Sequence, residues 1–113
     1  WGTYERLIAD GQVLYAGSSN FSGWGLAKAQ MQAWARGSVG LVSEQTQYNL
    51  LNRIPELEVL PAAQDFGIGV IAYMPLAGGL LTGKTQAAEG SRTRQLEDEY
   101  GMKLGADNPQ FAD

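Results

Sequence analysis

Three short strand-like runs, each ending in a polar or glycine-rich corner and separated by stretches of helical periodicity, limit what this chain can fold into. The runs are Val13 to Ala16 before Gly17-Ser18-Ser19-Asn20-Phe21, Leu41 to Gln47 before Tyr48-Asn49, and Ile68 to Tyr73 before Met74-Pro75-Leu76-Ala77-Gly78-Gly79. The last is continuously apolar, as parallel strands covered on both faces are. Ahead of the first run, Tyr4, Leu7 and Ile8 share a helical face before Gly11, which predicts a helix from about Gly2 to Asp10. Ser22 is placed to cap a second helix that runs to about Arg36 and ends at Gly37. Pro55 suits the first turn of a third, whose apolar stripe is Leu57, Val59, Leu60, Ala63 and Phe66; Pro61 should bend it and Gly67 should end it. Strand alternating with helix predicts a parallel α/β sheet.

Composition excludes several function classes. With no Cys and no His in 113 residues, a disulfide framework, thiolate chemistry and a zinc site are all ruled against, and no metal is expected. A net charge of −4 with scattered basic residues is unsuited to binding nucleic acid. No apolar run approaches the roughly 20 residues that cross a bilayer, and nothing at the start resembles a signal peptide, so a cytoplasmic protein is expected. Trp1 in place of Met, directly before a helix, suggests a piece of a longer protein. Residues 1–84 carry the strand and helix pattern. Residues 85–113 turn polar, with Arg94 to Leu104 as a candidate short helix, and read as a lid or tail.

Parallel sheets place their chemistry at the carboxyl ends of the strands. There stand Ser19 and Asn20, Gln45, and Tyr73. Ser, Asn and Gln donate to and accept from a carboxamide, and a Tyr ring stacks on a flat heteroaromatic ring. The run from Pro75 to Lys84 adds glycine-permitted backbone N–H groups and a cation suited to a pyrophosphate, and Arg92 adds a bidentate donor. Taken singly, each has a plainer explanation. Ser19-Asn20 could be a turn or helix cap, Gln45 a partner for a neighbouring backbone group, Tyr73 a core aromatic, and Lys84 and Arg92 solvated surface charges.

The order of these motifs resembles the aldo-keto reductase family. Gly17-Ser18-Ser19-Asn20-Phe21 is similar to the family's Gly-Val-Ser-Asn-Phe, Gln45-Thr46-Gln47-Tyr48-Asn49-Leu50-Leu51 to its Gln-Pro-x-Tyr-Asn-Leu-Leu, and Tyr73-Met74-Pro75-Leu76 to its Tyr-Ser-Pro-Leu. Leu76 to Lys84 matches the Leu-Ala-Gly-Gly-Leu-Leu-Thr-Gly-Lys of the branch holding bacterial aldo-keto reductases and the potassium-channel beta subunits. The resemblance implies about three parallel strands of a TIM (β/α)8 barrel and an NADPH-dependent oxidoreductase acting on an aldehyde or ketone, with NADH as the other cofactor option. By it, Ser19, Asn20 and Gln45 would bind the nicotinamide carboxamide and Tyr73 would stack on its ring. Leu76, Ala77, Gly79, Lys84 and Arg92 would approach the phosphates.

Two departures bear on function. Met74 stands where the family has Ser, which removes a hydroxyl near the pyrophosphate. The family's catalytic Asp, Tyr, Lys and His match no segment here, so no catalytic residue is assigned and the chain by itself is expected to be inactive. Three readings follow: part of a carbonyl reductase completed by the other barrel half, a non-catalytic nicotinamide-binding module, or an assembly piece whose strands pair with a second copy of the chain.

Overall fold

The computed structural model describes residues 1–82 together with Arg94, Gln95, Asp98 and Glu99. The region 85–113 and the candidate helix from Arg94 to Leu104 therefore lie almost wholly outside the described residues, as do Lys84 and Arg92. The chain divides into two units, Trp1–Tyr48 with Asn52–Tyr73, and Asn49–Leu51 with Met74–Asp113.

The first unit runs α1 (Gly2–Ala9), β1 (Ala16–Ser19), α2 (Gly23–Ala35), β2 (Leu41–Gln47), a 3₁₀ turn (Ile54–Glu56), α3 (Val59–Phe66) and β3 (Gly69–Tyr73). The three strands form one open, wholly parallel sheet in the order β1-β2-β3. This is an α/β arrangement consistent with part of a (β/α)8 barrel. A buried cluster of Ala16, Leu26, Leu41, Val59, Ala63 and Ile68 joins strands and helices, with Trp1, Ala29, Ala62 and Phe66 packed against it. The rings of Trp34 on α2 and Phe66 on α3 meet at 5.4 Å. Gly23 permits the close approach of α2 to the start of α3, because a Cβ there would fall 2.6 Å from the Glu58 carbonyl oxygen.

Three sequence expectations are corrected. The third strand, expected to be covered on both faces, is exposed from Gly69 through Ala72. The first strand is Ala16–Ser19 rather than Val13–Ala16. The N–H groups of Gln12 and Val13 both donate back to the Leu7 carbonyl, so the end of α1 holds this stretch, and Leu14 and Tyr15 are exposed. The third helix does not run from Pro55 through a bend at Pro61. A 3₁₀ turn over Ile54–Glu56 ends first, and α3 begins at Val59. Pro61 thereby occupies the first turn, where a missing N–H forfeits no intrahelical bond. Gly67, with φ of 67°, closes α3 in the left-handed conformation.

In the second unit, Asn49 is buried and its side chain holds the backbone, donating from Nδ2 to the Met74 carbonyl at 3.0 Å and accepting from the Leu51 N–H at 3.0 Å. The following Ala77–Thr82 segment consists of 3₁₀ turns broken at Gly78 and Gly79, whose φ values are 67° and 107°.

Candidate functional site

Because paired residues of a parallel sheet point to the same side, the register defines the face turned away from the core. Ser19 pairs with Gln45 and Gln45 with Ile71, while Gln47 pairs with Tyr73. These residues therefore form neighbouring rows at the carboxyl end of the sheet. Ser19, Asn20 and Gln45 are exposed, and Tyr73 is half-buried.

The chain brings the four expected nicotinamide residues together. Asn20 follows β1 directly and has φ of 56°, a left-handed value that Asn tolerates better than most residues. Its N–H donates to the Gln45 carbonyl at 2.9 Å, which extends the β1–β2 ladder past the end of β1. Its side-chain Nδ2 donates to Ser19 Oγ at 3.2 Å. Tyr73 Oη donates to Asn20 Oδ1 at 3.0 Å, reaching across β2 from the strand at the opposite edge of the sheet. Ser19, Asn20 and Tyr73 thus form a hydrogen-bonded line, with Gln45 tied to it through the backbone. A hydroxyl and two amides offer both donors and acceptors, as a carboxamide requires, and the Tyr73 phenol is tied to them through its hydroxyl.

The turn behind this line is fixed by residues that the sequence reading missed. Glu44 is fully buried and accepts at both oxygens, from Ser18 Oγ and from the Phe21 N–H at 2.9 Å. An acid inside a buried strand was the available signal, since such a group persists only where its acceptors are used. Ser22 accepts from the Gly25 N–H at 3.2 Å, in the capping role expected of it. Beyond β2, Tyr48 Oη donates to Glu56 Oε1 at 2.7 Å, and Arg53 grips both Glu56 oxygens at 2.8 Å each. The Arg53 bond, then the Tyr48 bond, holds the Glu56 carboxyl below its ordinary range, and the bond to Glu56 raises the Tyr48 phenol.

In the second unit, Leu76, Ala77 and Gly79, three of the residues expected near phosphates, lie in a segment dense in left-handed backbone. Met74 and Ala77 have φ of 52° and 49°. Leu76 is exposed and Ala77 is buried. The N–H groups of Ala77 and Gly79 close turns within the segment, donating to Met74 and Leu76 carbonyls at 2.9 Å each. Lys84 and Arg92 are outside the described residues. Among the described residues, no group of three or more acidic side chains is gathered as a metal would need, and no helix is long and apolar enough to cross a membrane.

Comparison with known proteins agrees with this architecture. Residues 1–109 match the model of the Aldo/keto reductase family. An uncharacterized oxidoreductase of Bacillus subtilis, YrpG, is 52% identical over 99 residues, which cover 87% of this chain and 30% of that protein. Human aflatoxin B1 aldehyde reductase member 2 is 38% identical over 71% of this chain and 22% of its own length. A putative voltage-gated potassium channel subunit beta of Schizosaccharomyces pombe is 37% identical over 79% of this chain and 27% of its own length. The chain spans less than a third of these relatives. Its motifs, its three parallel strands and a match over nearly its whole length establish that it belongs to the aldo/keto reductase family.

Proposed function

We propose that this chain supplies nicotinamide-binding residues to an NADP(H)-dependent oxidoreductase that reduces an aldehyde or ketone. The observation that carries the reading is the convergence of Ser19, Asn20, Gln45 and Tyr73 at one end of the sheet, with Tyr73 hydrogen-bonded to Asn20. When bound, the nicotinamide supplies hydride chemistry. The chain's own residues orient and position. Ser19, Asn20 and Gln45 hold the carboxamide, which fixes the ring's rotation, and the Tyr73 ring backs it. Fastening the Tyr73 hydroxyl to Asn20 limits rotation of the phenol. Leu76, Ala77 and Gly79, with the side chains of Lys84 and Arg92, are assigned to approach the phosphates.

No residue of this chain is assigned the proton transfer, which falls to the Asp, Tyr, Lys and His set of the family outside these 113 residues. The protein's compartment in this reading is the cytoplasm, and its cofactor is NADPH in preference to NADH.

Titration of the protein at its natural length with NADPH and NADH, followed by quenching of Trp fluorescence, tests the reading. Saturable binding that weakens about tenfold in Tyr73→Ala, the equivalent of about 1.4 kcal/mol, is the expected result. Binding without any carbonyl turnover would favour a non-catalytic nicotinamide module. No binding of either nucleotide by folded protein would leave the strands an assembly element.

A further inference from the structure

Glu44 is fully buried and stands outside the cofactor contacts assigned above. Its two carboxylate oxygens divide between Ser18 Oγ and the Phe21 N–H, residues that bracket Ser19 and Asn20 on either side. Pinning β1 to β2 would require only the first contact, because Ser18 and Glu44 are register partners. The second reaches past the end of β1 into the turn, where Asn20 holds a left-handed φ of 56°. With the Asn20 N–H on the Gln45 carbonyl, successive backbone donors at 20 and 21 are both fixed by β2.

We propose that Glu44 is a positioning residue, whose carboxylate clamps the backbone on both sides of Ser19-Asn20 and so sets the side chains that meet a nicotinamide carboxamide. The proposal rests on the nicotinamide reading above. Its chemistry makes a specific demand on substitution. Gln retains a carbonyl oxygen for the Phe21 N–H, and its amide can donate to Ser18 Oγ, which then accepts rather than donates. Leu fills comparable volume and meets neither group.

The test compares wild type, Glu44→Gln, Glu44→Leu, Ser18→Ala and the core control Val59→Ala in the protein at its natural length. Three quantities are read: NADPH affinity from Trp fluorescence, exchange of the Phe21 amide hydrogen, and Tm. Glu44→Leu is expected to weaken NADPH about tenfold and Ser18→Ala about threefold, while Glu44→Gln stays within about twofold of wild type. Phe21 exchange should accelerate in Glu44→Leu and remain slow in Glu44→Gln. Val59→Ala should lower Tm without changing affinity.

Wild-type affinity in folded Glu44→Leu, or loss in Val59→Ala equal to that in Glu44→Leu, overturns the positioning role. Should Glu44→Leu fail to fold, unchanged affinity in Ser18→Ala overturns it instead. Wild-type protein that binds neither NADPH nor NADH overturns the nicotinamide reading itself, and the positioning role with it.

Discussion

Gln30 shows how much of this fold depends on single buried polar side chains. It is buried in α2, donates from Nε2 to the Val39 carbonyl at 2.8 Å and accepts at Oε1 from the Leu41 N–H at 2.9 Å. It thereby wraps the backbone that enters β2 around Gly40, where φ is 81° and a Cβ would fall 2.4 Å from Gln30 Oε1. Gln30→Leu leaves a donor and an acceptor without their partner and should cost roughly 2–3 kcal/mol. Urea unfolding should show the loss as a lower midpoint at unchanged slope; a change within about 0.5 kcal/mol would mean that water replaces the amide. Sequence periodicity did not reveal this role. The buried side of α2 is Gly23, Leu26, Gln30 and Ala33, while the large apolar Met31 and Trp34 remain about half exposed. On that buried side only Leu26 is a large apolar residue; Gly23, Gln30 and Ala33 are small or polar, and hydrophobicity pointed to Met31 and Trp34. Glu44 escaped for the same reason. Ser19, Asn20, Gln45 and Tyr73 stood out in the sequence as polar or aromatic side chains near the ends of the three runs, and the structure places Ser19, Gln45 and Tyr73 on β1, β2 and β3 with Asn20 directly after β1.

At the scale of elements, α1 is joined to α2 by two polar contacts, although α1 buries no residue completely. Trp1 Nε1 donates to the Ala29 carbonyl at 3.0 Å, and Arg36, at the end of α2, grips both Glu5 oxygens at 2.7 and 2.6 Å. The Arg36 hydrogen bonds hold the Glu5 carboxyl below its ordinary value of 4.5. A folded pKa below the unfolded one gives stability that is present above the unfolded value and lost as pH falls through the folded value. Acidification below about pH 4.5 should therefore loosen α1 from α2, read as faster amide exchange in Glu5 through Ala9. Glu5→Gln should show that fast exchange already at pH 7 and remove its acid dependence. An unaltered profile in the variant would assign the acid response to other carboxylates. The elements themselves were read unevenly. Strand β2 fell where its sequence placed it, because Leu41 to Gln47 is bounded by Gly40 and the corner at Tyr48-Asn49. Strand β1 moved toward the polar Gly17-Ser18-Ser19, since pairing with β2 outweighs weak strand propensity and the α1 terminus claims Val13. Pro61 was visible in the sequence, but its position within a helix could not be set without knowing that the turn at Ile54–Glu56 stops short of it.

At the scale of the whole molecule, the three strands form an open sheet, and among the described residues Ser19, Gln45 and Ile71 are exposed on one face, Ile71 by 53%. The chain covers 30% of the length of its Bacillus subtilis relative, whereas a closed barrel of this class needs eight strands. Motif order was enough to read the family, because three strand ends carry enough chemistry to identify the framework. The proton-transfer machinery was not legible, because no segment of these 113 residues resembles it and His is absent. That separation makes a prediction about catalysis. Hydride transfer to a carbonyl leaves an alkoxide-like oxygen that needs a proton, and positioned general acids typically contribute 10²–10⁴-fold. The carboxamide and ring contacts proposed here orient the nucleotide without supplying that proton. The 113-residue chain alone should therefore give no consumption of NADPH with an aldehyde above the uncatalysed rate. Turnover by the isolated chain, abolished by Tyr73→Ala, would place a proton donor within these residues and overturn the division of labour proposed for them.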